Sequence, residues 1–256
     1  MFSLLSSVLR SRFARPLRNA VRPIARLYPG MIRVPTDTGL DCYAHPSTAL
    51  GAGIIVSGKF DQPVADILRR NLAAGQVMVD IGANIGYMSL VGLSSVGPEG
   101  AVYSYEMDVR SYRALAATHR LYGSRYQWII RNQAVGEQHG FVSVTPTKEY
   151  GHAFIDRNSQ EIGQVAMIPL DEGEFAANGG RIDLIKIDVE GYELHVLRGA
   201  RRVLSERRPI VVCELVESHL QRFGASRQEV VSYMESLGYR LTLLEDANDE
   251  TAIFIR

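Results

Sequence analysis

The sequence of 256 residues predicts an α/β protein built on a doubly wound, mostly parallel sheet. From Val77 onward, apolar segments rich in β-branched residues alternate with segments of helical periodicity. The strand segments are apolar throughout, which is typical of parallel strands covered by helices on both faces. The last two strand segments are joined by the short acidic turn EDANDE, which predicts an antiparallel hairpin at one end of the sheet.

The first predicted helix begins where Asp61 caps it, with Pro63 tolerated in its first turn. Before it, residues 37–60 predict only short strands and turns rich in glycine. The following segments are predicted to alternate between strand and helix, in the order VMVDI, IGYMSLVGLSS, AVYSYE, DVRSYRALAATHRLYG and YQWII.

Residues 137–175 interrupt the alternation. GFVSVT and QVAMIPL are predicted strands, and EYGHAFIDRNSQ is a predicted loop between them. The alternation then resumes with a strand, a helix and a strand, which are RIDLIKID, EGYELHVLRGARRVLSE and PIVVCEL. The chain closes with the predicted helix SRQEVVSYMESLG and the strands YRLTLL and TAIFI.

The composition limits the classes of function. Hydrophobic residues make up 46% of the chain, which is enough for a substantial core, and no apolar run approaches the length of about 18 residues that spans a membrane. The 28 basic and 28 acidic residues give no electrostatic basis for binding nucleic acid. Two cysteines, Cys42 and Cys213, are too few for a disulfide framework, which favours a cytoplasmic location.

The N-terminal segment differs from the rest in charge. Up to Pro35 there are seven arginines and no acidic residue, so the remaining residues carry 21 basic and 28 acidic side chains, a net charge of −7. On a helical wheel, most of these arginines lie opposite one apolar face, which consists of Phe2, Leu5, Leu9, Phe13, Leu17 and Ile24.

This basic amphipathic pattern fits three alternatives. The segment is a peripheral anchor on the inner face of a membrane, a cleaved targeting segment, or a helical extension packed on its own domain or on a second subunit of a homodimer. We predict an extension over residues 1–36 and one domain over residues 37–256, with its core starting near residue 61.

Small and acidic residues follow the first strand of the alternating region. Asp80 comes at its end, and Gly82, Asn84 and Gly86 occupy every second position thereafter. Ligands of open α/β sheets bind at the carboxyl ends of strands, where glycines permit close backbone approach and the next helix offers free N–H groups. The simpler alternative for Asp80 is an ordinary helix-capping acid.

The second and third strand ends predict a nucleoside ligand. Glu106 stands after the second strand, 24 positions beyond Gly82, where an acid can accept both hydroxyls of a ribose. Asn132, Gln133 and Ala134 follow the third strand and are placed to contact the edge of an adenine ring.

A dinucleotide is disfavoured by the turn itself. The fingerprint G-x-G-x-x-G fails twice after Gly82, because Asn84 and Tyr87 occupy the second and third glycine positions. Asp80 would also repel a pyrophosphate but attract an ammonium group. A ligand with a ribose, an adenine, no phosphate and a cationic amino-acid tail is S-adenosylmethionine.

The fourth strand end carries the densest charge in the chain. Lys186, Asp188 and Glu190 alternate on a segment that is otherwise apolar, so they share a face or project past the strand. Charges in such a place need partners. An acid just past this strand would lie close to the transferable methyl group.

These segments resemble those of the FkbM-type S-adenosylmethionine-dependent methyltransferases. The resemblance covers roughly residues 50–255 and excludes the N-terminal segment. It rests on VDIGANIGYMSL, on Tyr105-Glu106, on NQAVG at 132–136, on IDLIKIDVEGYELHVLRGA at 182–200 and on the Glu214 that ends PIVVCE. Its most specific element is the D-x-E-G-x-E run.

The resemblance implies a class I methyltransferase (Rossmann-like) fold and methyl transfer to a hydroxyl of a sugar, a glycolipid or another small natural product. It assigns the methionine half of the cofactor to Asp80, Gly82, Asn84 and Gly86, the ribose to Glu106, and the active site to Asp188 and Glu190. Such proteins usually have proline where this chain has Met107, whose thioether could pack against the adenine.

A hydroxyl acceptor needs a base to remove its proton during attack. The candidates are Asp188, Glu190 and His152, although His152 is also explained as an exposed loop histidine. His195 is expected to be structural, and Lys186 to pair with an acid. Asp188 with Glu214, Glu217 and His219 could surround a divalent ion, but their spacing is not specific for a metal, so none is predicted.

Three other functions remain as alternatives. A nitrogen or carboxyl acceptor is compatible with the same fold. A non-catalytic cofactor-binding protein is disfavoured by the presence of Asp188 and Glu190, and a nicotinamide-dependent oxidoreductase by the missing glycines.

Overall fold

A computed structural model describes residues 30–146, 153–156, 164–175, 180–243 and 251–256. The predicted N-terminal extension up to residue 29 and the candidate base His152 lie outside this set. The described chain opens with a β-hairpin and two helices, which are β1 (Ile32–Pro35), β2 (Asp41–Ala44), α1 (Ala49–Ser57) and α2 (Gln62–Asn71).

Strand–helix alternation follows, as predicted. Its first half consists of β3 (Val77–Ile81), α3 (Tyr87–Val96), β4 (Ala101–Tyr105), α4 (Val109–Tyr122) and β5 (Gln127–Arg131). Four strands interrupt it, namely β6 (Ala134–Val135), β7 (Gly140–Pro146), β8 (Ala153–Asp156) and β9 (Gln164–Ile168). The second half consists of β10 (Leu184–Ile187), α5 (Glu193–Gly199), α6 (Arg201–Glu206), β11 (Ile210–Glu214), α7 (Glu217–Leu220), α8 (Arg227–Ser236), β12 (Arg240–Leu243) and β13 (Thr251–Ile255).

The central sheet has seven strands in the order β12-β13-β11-β10-β3-β4-β5. Five of them run parallel, and β13 is antiparallel to both β11 and β12. This confirms the predicted doubly wound, mostly parallel sheet with an antiparallel C-terminal hairpin; the EDANDE turn lies outside the described residues. Strand order reverses between β3 and β10, the position where open α/β sheets bind ligands.

Both faces of this sheet are buried. On β3, Val79 and Ile81 belong to one core that packs against α5, α6 and α8. Met78 points into a second core, formed with α1 to α4. Side chains alternate across a strand, so a strand covered on both faces must be apolar at nearly every position, which explains the long apolar segments.

The structure differs from the prediction before residue 61. A helix, α1, occupies residues predicted to be strands and turns, capped by Thr48, whose Oγ1 accepts from the N–H of Gly51 (2.8 Å). Its glycines weaken helix propensity, but burial of Ile54 overrides it. Ile32 of β1 is also buried, so the core begins earlier than residue 61 and the first strand overlaps the predicted extension.

Two further elements differ. Part of the predicted EYGHAFIDRNSQ loop is β8, which pairs antiparallel with β7. The helix predicted to start at Glu190 starts at Glu193, because Gly191 has a left-handed φ of +110° that no helix accommodates. Within the described part of the chain, no helix combines the length and the apolar character that crossing a bilayer requires.

Candidate active site

A cavity of about 520 Å³ opens at the carboxyl ends of the strands, beside the reversal between β3 and β10. Eight of the residues predicted for the site line it: Gly82, Asn84, Glu106, Met107, Gln133, Ala134, Asp188 and Glu190. Asp80 and Gly86 are not among the lining residues. The sheet thus brings together residues that the sequence separates by more than a hundred positions.

The glycines of the turn after β3 are required for packing. Gly82 has a φ of +77°, and a Cβ there would lie 1.8 Å from the carbonyl oxygen of Asp188. Gly86 has a φ of +93°, and its Cβ would lie 2.7 Å from Cδ1 of Leu115. The missing side chains therefore make room for the protein's own strand and helix, although Gly82 also lines the cavity.

Asp80 lies behind the cavity wall. Its side chain is fully buried, and its Oδ2 accepts a 2.6 Å hydrogen bond from Ser89, whose Oγ is 2.8 Å from that of Ser104. Burial raises the pKa of Asp80, while Lys186 and Ser89 counteract it. Asp80 does not line the cavity, because both faces of β3 are covered and its side chain is buried; Lys186, which lies 3.6 Å from it, does line the cavity. The role of Asp80 toward a cofactor stays a prediction.

Glu106 is fixed by backbone donors at the end of β4. Its Oε2 accepts from the N–H of Asn84 (2.7 Å) and its Oε1 from that of Asp108 (2.6 Å). Burial raises its pKa to about 7, and these two hydrogen bonds oppose the rise. Each carboxylate oxygen keeps a further lone pair, so the group can still accept hydrogen bonds from two neighbouring hydroxyls.

Asn132 supports this corner from outside the cavity. Its Nδ2 donates to the carbonyl oxygens of Glu106 (2.8 Å) and Met107 (3.1 Å). It therefore holds the β4 end in place, while its neighbours Gln133 and Ala134 line the cavity.

Lys186 connects the two strands at the reversal. Its Nζ donates to the carbonyl oxygen of Gly82 (3.2 Å) and to Oδ2 of Asp188 (3.2 Å), and lies 3.6 Å from Oδ1 of Asp80. Burial acts to lower the pKa of Lys186, but the two carboxylates outweigh it and the pKa is raised. The ammonium group therefore stays charged and cannot act as a base.

Two further carboxyl groups accompany Asp188. The register that pairs Ile187 with Cys213 places Asp188 next to Glu214 at the end of β11. Glu190, in the loop before α5, lines the same cavity with a left-handed φ of +56°. Its Oε2 lies 3.2 Å from Nδ1 of His219.

Glu193 and Gly191 hold the D-x-E-G-x-E loop in shape. Oε1 of Glu193 accepts from the N–H groups of Val189 (3.2 Å) and Gly191 (3.0 Å). A Cβ on Gly191 would lie 2.2 Å from the carbonyl oxygen of His219. The last glutamate and the glycine of the motif are thus structural, and they present Asp188 and Glu190 to the cavity.

The opposite wall comes from α1, α2 and the loop between them, which sequence reasoning did not place at the site. Its side chains include Leu50, Phe60, Asp61 and Val64. Phe60 is 37% exposed and makes an edge-to-face contact with Tyr87 of α3. Asp61 had a sequence signal as a helix cap, confirmed by its bond from the N–H of Val64, but no local pattern placed it near Asp188.

The remaining candidates lie away from the cavity lining. His195 stacks on Tyr192 with ring centroids 4.3 Å apart. Glu217 accepts from the N–H of Arg227 (2.8 Å), so it does not join Asp188 and His219. Among the described residues, no group of three His, Cys, Asp or Glu side chains could hold a metal ion.

The lining fits S-adenosylmethionine in volume and in donor set. Small-molecule sites occupy roughly 300–1,000 Å³, and this cavity lies within that range. Glu106 offers acceptors suited to ribose hydroxyls, Met107 and Ala134 offer apolar contacts suited to a purine, and Asp188 and Glu190 offer negative charge suited to a cationic sulfur.

Comparison with known proteins supports the same family. A sequence model of the methyltransferase FkbM domain matches residues 80–241. A search of curated proteins finds no match. The chain is similar to the crystal structure of a methyltransferase FkbM from Methylobacillus flagellatus, with a TM-score of 0.50 and 16% identity. The match covers 80% of this chain and 52% of that one, so this chain spans about half of its length.

Two further structures are similar at lower scores. A precorrin-6y C5,15-methyltransferase from Geobacter metallireducens gives a TM-score of 0.46 at 14% identity, covering 77% of this chain and 88% of that one. Fibrillarin from Aeropyrum pernix, in complex with natively bound S-adenosyl-L-methionine, gives 0.45 at 14% identity, covering 88% and 93%. The strand order and the structural match to the Methylobacillus protein give this chain the class I methyltransferase (Rossmann-like) fold.

Proposed function

This chain belongs to the FkbM methyltransferase family, and we propose that it transfers the methyl group of S-adenosylmethionine to a hydroxyl of a sugar, a glycolipid or another small natural product. The observation that carries the proposal is that Glu106 and Asp188, from strands on either side of β3, line one cavity. A carboxylate suited to accept hydrogen bonds from ribose hydroxyls and a candidate base are thereby held within one small-molecule site.

The bound cofactor supplies an electrophilic methyl group on a cationic sulfur. The protein's part is to hold the acceptor oxygen in line with it and to take the acceptor's proton as the new bond forms. Asp188 and Glu190 are the described candidates for this proton. His152 remains a third candidate, predicted from the sequence.

Lys186 determines how Asp188 can act. Its ammonium group contacts one carboxylate oxygen of Asp188 and leaves the other oxygen free of that contact. Asp188 is thereby fixed in position, as a general base requires.

The charge of the cavity bears on the acceptor. Asp188, Glu190 and Glu214 would repel an acceptor whose reacting group is itself a carboxylate. The same charge tolerates a neutral hydroxyl and attracts a protonated amine. Hydroxyl methylation is the leading proposal, and amine methylation is the second candidate that this observation favours.

The test is an acceptor screen with radiolabelled S-adenosylmethionine, using sugars, glycolipids, amines and carboxylic acids. Asp188→Asn serves as the matched variant, because it keeps the side-chain shape and removes the charge. We expect label in hydroxylated acceptors, and a loss of roughly 100-fold or more in the variant. A folded Asp188→Asn protein with unchanged rate would assign the base to Glu190 or His152.

Calorimetry separates the proposal from other cofactor classes. We expect binding of S-adenosylmethionine and of its demethylated product, S-adenosylhomocysteine, and no binding of NAD. Binding without methyl transfer to any acceptor would favour a non-catalytic cofactor-binding protein.

A further inference from the structure

The carboxyl groups of Asp188 and Glu214 are direct neighbours at the carboxyl edge of the sheet. Ile187 and Cys213, the residues that precede them, are paired in the parallel strands β10 and β11, so the two acids lie side by side. Both line the cavity. Two carboxylates this close repel each other, and such a pair favours the state in which one of them keeps a proton.

Little positive charge faces this pair. Among the described residues of the cavity lining, Lys186 is the one basic side chain. Its ammonium group contacts Asp188, Asp80 and the carbonyl oxygen of Gly82. This one cation therefore already balances two carboxylates, and Glu214 is a third.

The other groups around Glu214 are mostly acidic. Glu190 lies on the loop beside it, with His219 next to that glutamate. Asp61, the N-cap residue of α2, also lines the cavity and is close enough to Asp188 for the two carboxylates to repel each other. Cys213 precedes Glu214 as a buried thiol whose pKa is raised by burial.

These surroundings favour protonated Glu214. Burial raises the pKa of Glu214 to about 9, with Asp188 and Glu190 adding to the rise and Lys186 opposing it. Asp188, the neighbour of Glu214 across the strand pair, is placed to accept that proton in a hydrogen bond.

We propose that Glu214 keeps a proton beside Asp188 in the free protein and releases it when cationic S-adenosylmethionine enters the cavity. The inference rests on the proposed function and deepens it, because it makes one pair of side chains responsible for distinguishing the methyl donor from the demethylated product in binding. The donor carries a positive sulfur, which stabilises two ionised carboxylates, whereas S-adenosylhomocysteine carries a neutral thioether, which does not.

A pH dependence follows from this exchange. A ligand that binds with release of a proton binds more tightly as pH rises. The affinity for S-adenosylmethionine relative to S-adenosylhomocysteine should therefore increase as pH rises toward the pKa of Glu214, about 9. The sulfonium also lowers the pKa of the donor's own amino group, so the contribution of Glu214 is the difference between the wild type and a variant in which Glu214 cannot titrate.

The experiment is calorimetric titration of the full chain with each ligand at about pH 8, in phosphate and in Tris. These buffers differ in ionisation enthalpy, so the heat difference counts the protons released. A cation within about 4–6 Å lowers a carboxyl pKa by about 1–3 units. From a pKa of about 9, this predicts that Glu214 contributes about 0.4–0.9 proton more release with the donor than with the product.

Three variants sharpen the test. Glu214→Gln retains the shape and a hydrogen-bond donor but cannot titrate, so the part of the excess release that Glu214 contributes should vanish. Asp188→Asn removes the neighbouring charge that raises the pKa of Glu214, so it should also reduce the release. It serves as a second variant if Glu214→Gln fails to fold. Glu99→Gln makes the same chemical change at the exposed opposite edge of the sheet and should leave the release unchanged.

The outcomes are distinguishable. A donor-minus-product release that is larger in the wild type than in Glu214→Gln supports the inference. The same donor-minus-product release in both proteins overturns the inference and leaves the proposed function standing. Failure of the wild-type protein to bind either ligand overturns the proposed function, and the inference falls with it.

Discussion

The carbonyl oxygen of Asp188 occupies the space that a side chain on Gly82 would need. A Cβ on Gly82 would lie 1.8 Å from that oxygen, so the turn after β3 and the end of β10 can meet only where one of them lacks a side chain. The contact lies at the reversal of strand order, and Lys186 reinforces it by donating to the carbonyl oxygen of Gly82. The close approach of the two loops thus shapes the cavity floor.

Gly82→Ala should destabilise the fold strongly. The residue has a left-handed φ, which costs about 1–2 kcal/mol for a side chain, and the collision with a backbone atom adds about 1–3 kcal/mol. Gly75→Ala is the matched control, because its φ is +80° but a Cβ there would have nothing within 4 Å. Urea denaturation should show a loss of unfolding free energy in Gly82→Ala that exceeds the control's; equal losses would contradict the packing role.

Glu106→Gln should weaken binding of the cofactor and of its product to a similar extent, since both carry the ribose. Each lost charge-assisted hydrogen bond costs about 1.5–3 kcal/mol, or about 10- to 150-fold in dissociation constant. Calorimetry on the variant and on Glu99→Gln measures the difference. An affinity equal to that of the wild type would remove Glu106 from the ribose assignment.

Glu193→Gln should flatten the dependence of stability on pH. Burial raises the pKa of Glu193 to about 7 from 4.5, so the folded state binds more protons than the unfolded state between these values. That contribution is fully present below the unfolded pKa of 4.5 and is lost as pH rises toward 7, at about 1.4 kcal/mol per pH unit. Its buried Oε2 has no hydrogen-bond partner among the described residues, which leaves the charged form poorly compensated.

Urea titrations at about pH 5 and about pH 7 provide the measurement, since most of the contribution of Glu193 is lost between these values. The wild type should lose stability over this interval, with Glu106 contributing in the same direction because its pKa is also raised to about 7. Glu193→Gln should lose less. If wild type and variant lose the same amount, Glu193 does not titrate in this range.

If the N-terminal segment is a peripheral anchor, which is one of the three alternatives that its sequence pattern fits, it should bind anionic membranes. Each basic residue near an anionic surface contributes about 1 kcal/mol, and salt weakens the attraction. A chain starting at Met31 is the matched control, since it retains β1. Vesicle co-sedimentation should capture only the full chain, at low salt and with anionic lipid; equal capture of both, or of neither, would favour a packed extension or a targeting segment.

Local patterns in the amino-acid sequence were enough to predict the class of fold and eight of the residues that line the cavity. Strand and helix periodicities are local, so the alternation from β3 to β13 was predictable, and parallel strands in a doubly wound sheet bring their carboxyl ends to one edge. The residues after each strand therefore included Glu106, Asp188 and Glu190. The same logic failed for α1, whose glycines and unbroken apolar sequence carry no helical period.

The neighbours of these residues depend on the three-dimensional fold. Lys186 meets Gly82 across 104 positions of the chain, and Asp188 meets Glu214 through a strand pairing that no local pattern specifies. Asp80 belongs to the same motif as Gly82, yet burial on both faces of β3 places it behind the wall. The charge, the protonation and the exposure of a side chain depend on what packs against it, and packing is fixed by the whole fold.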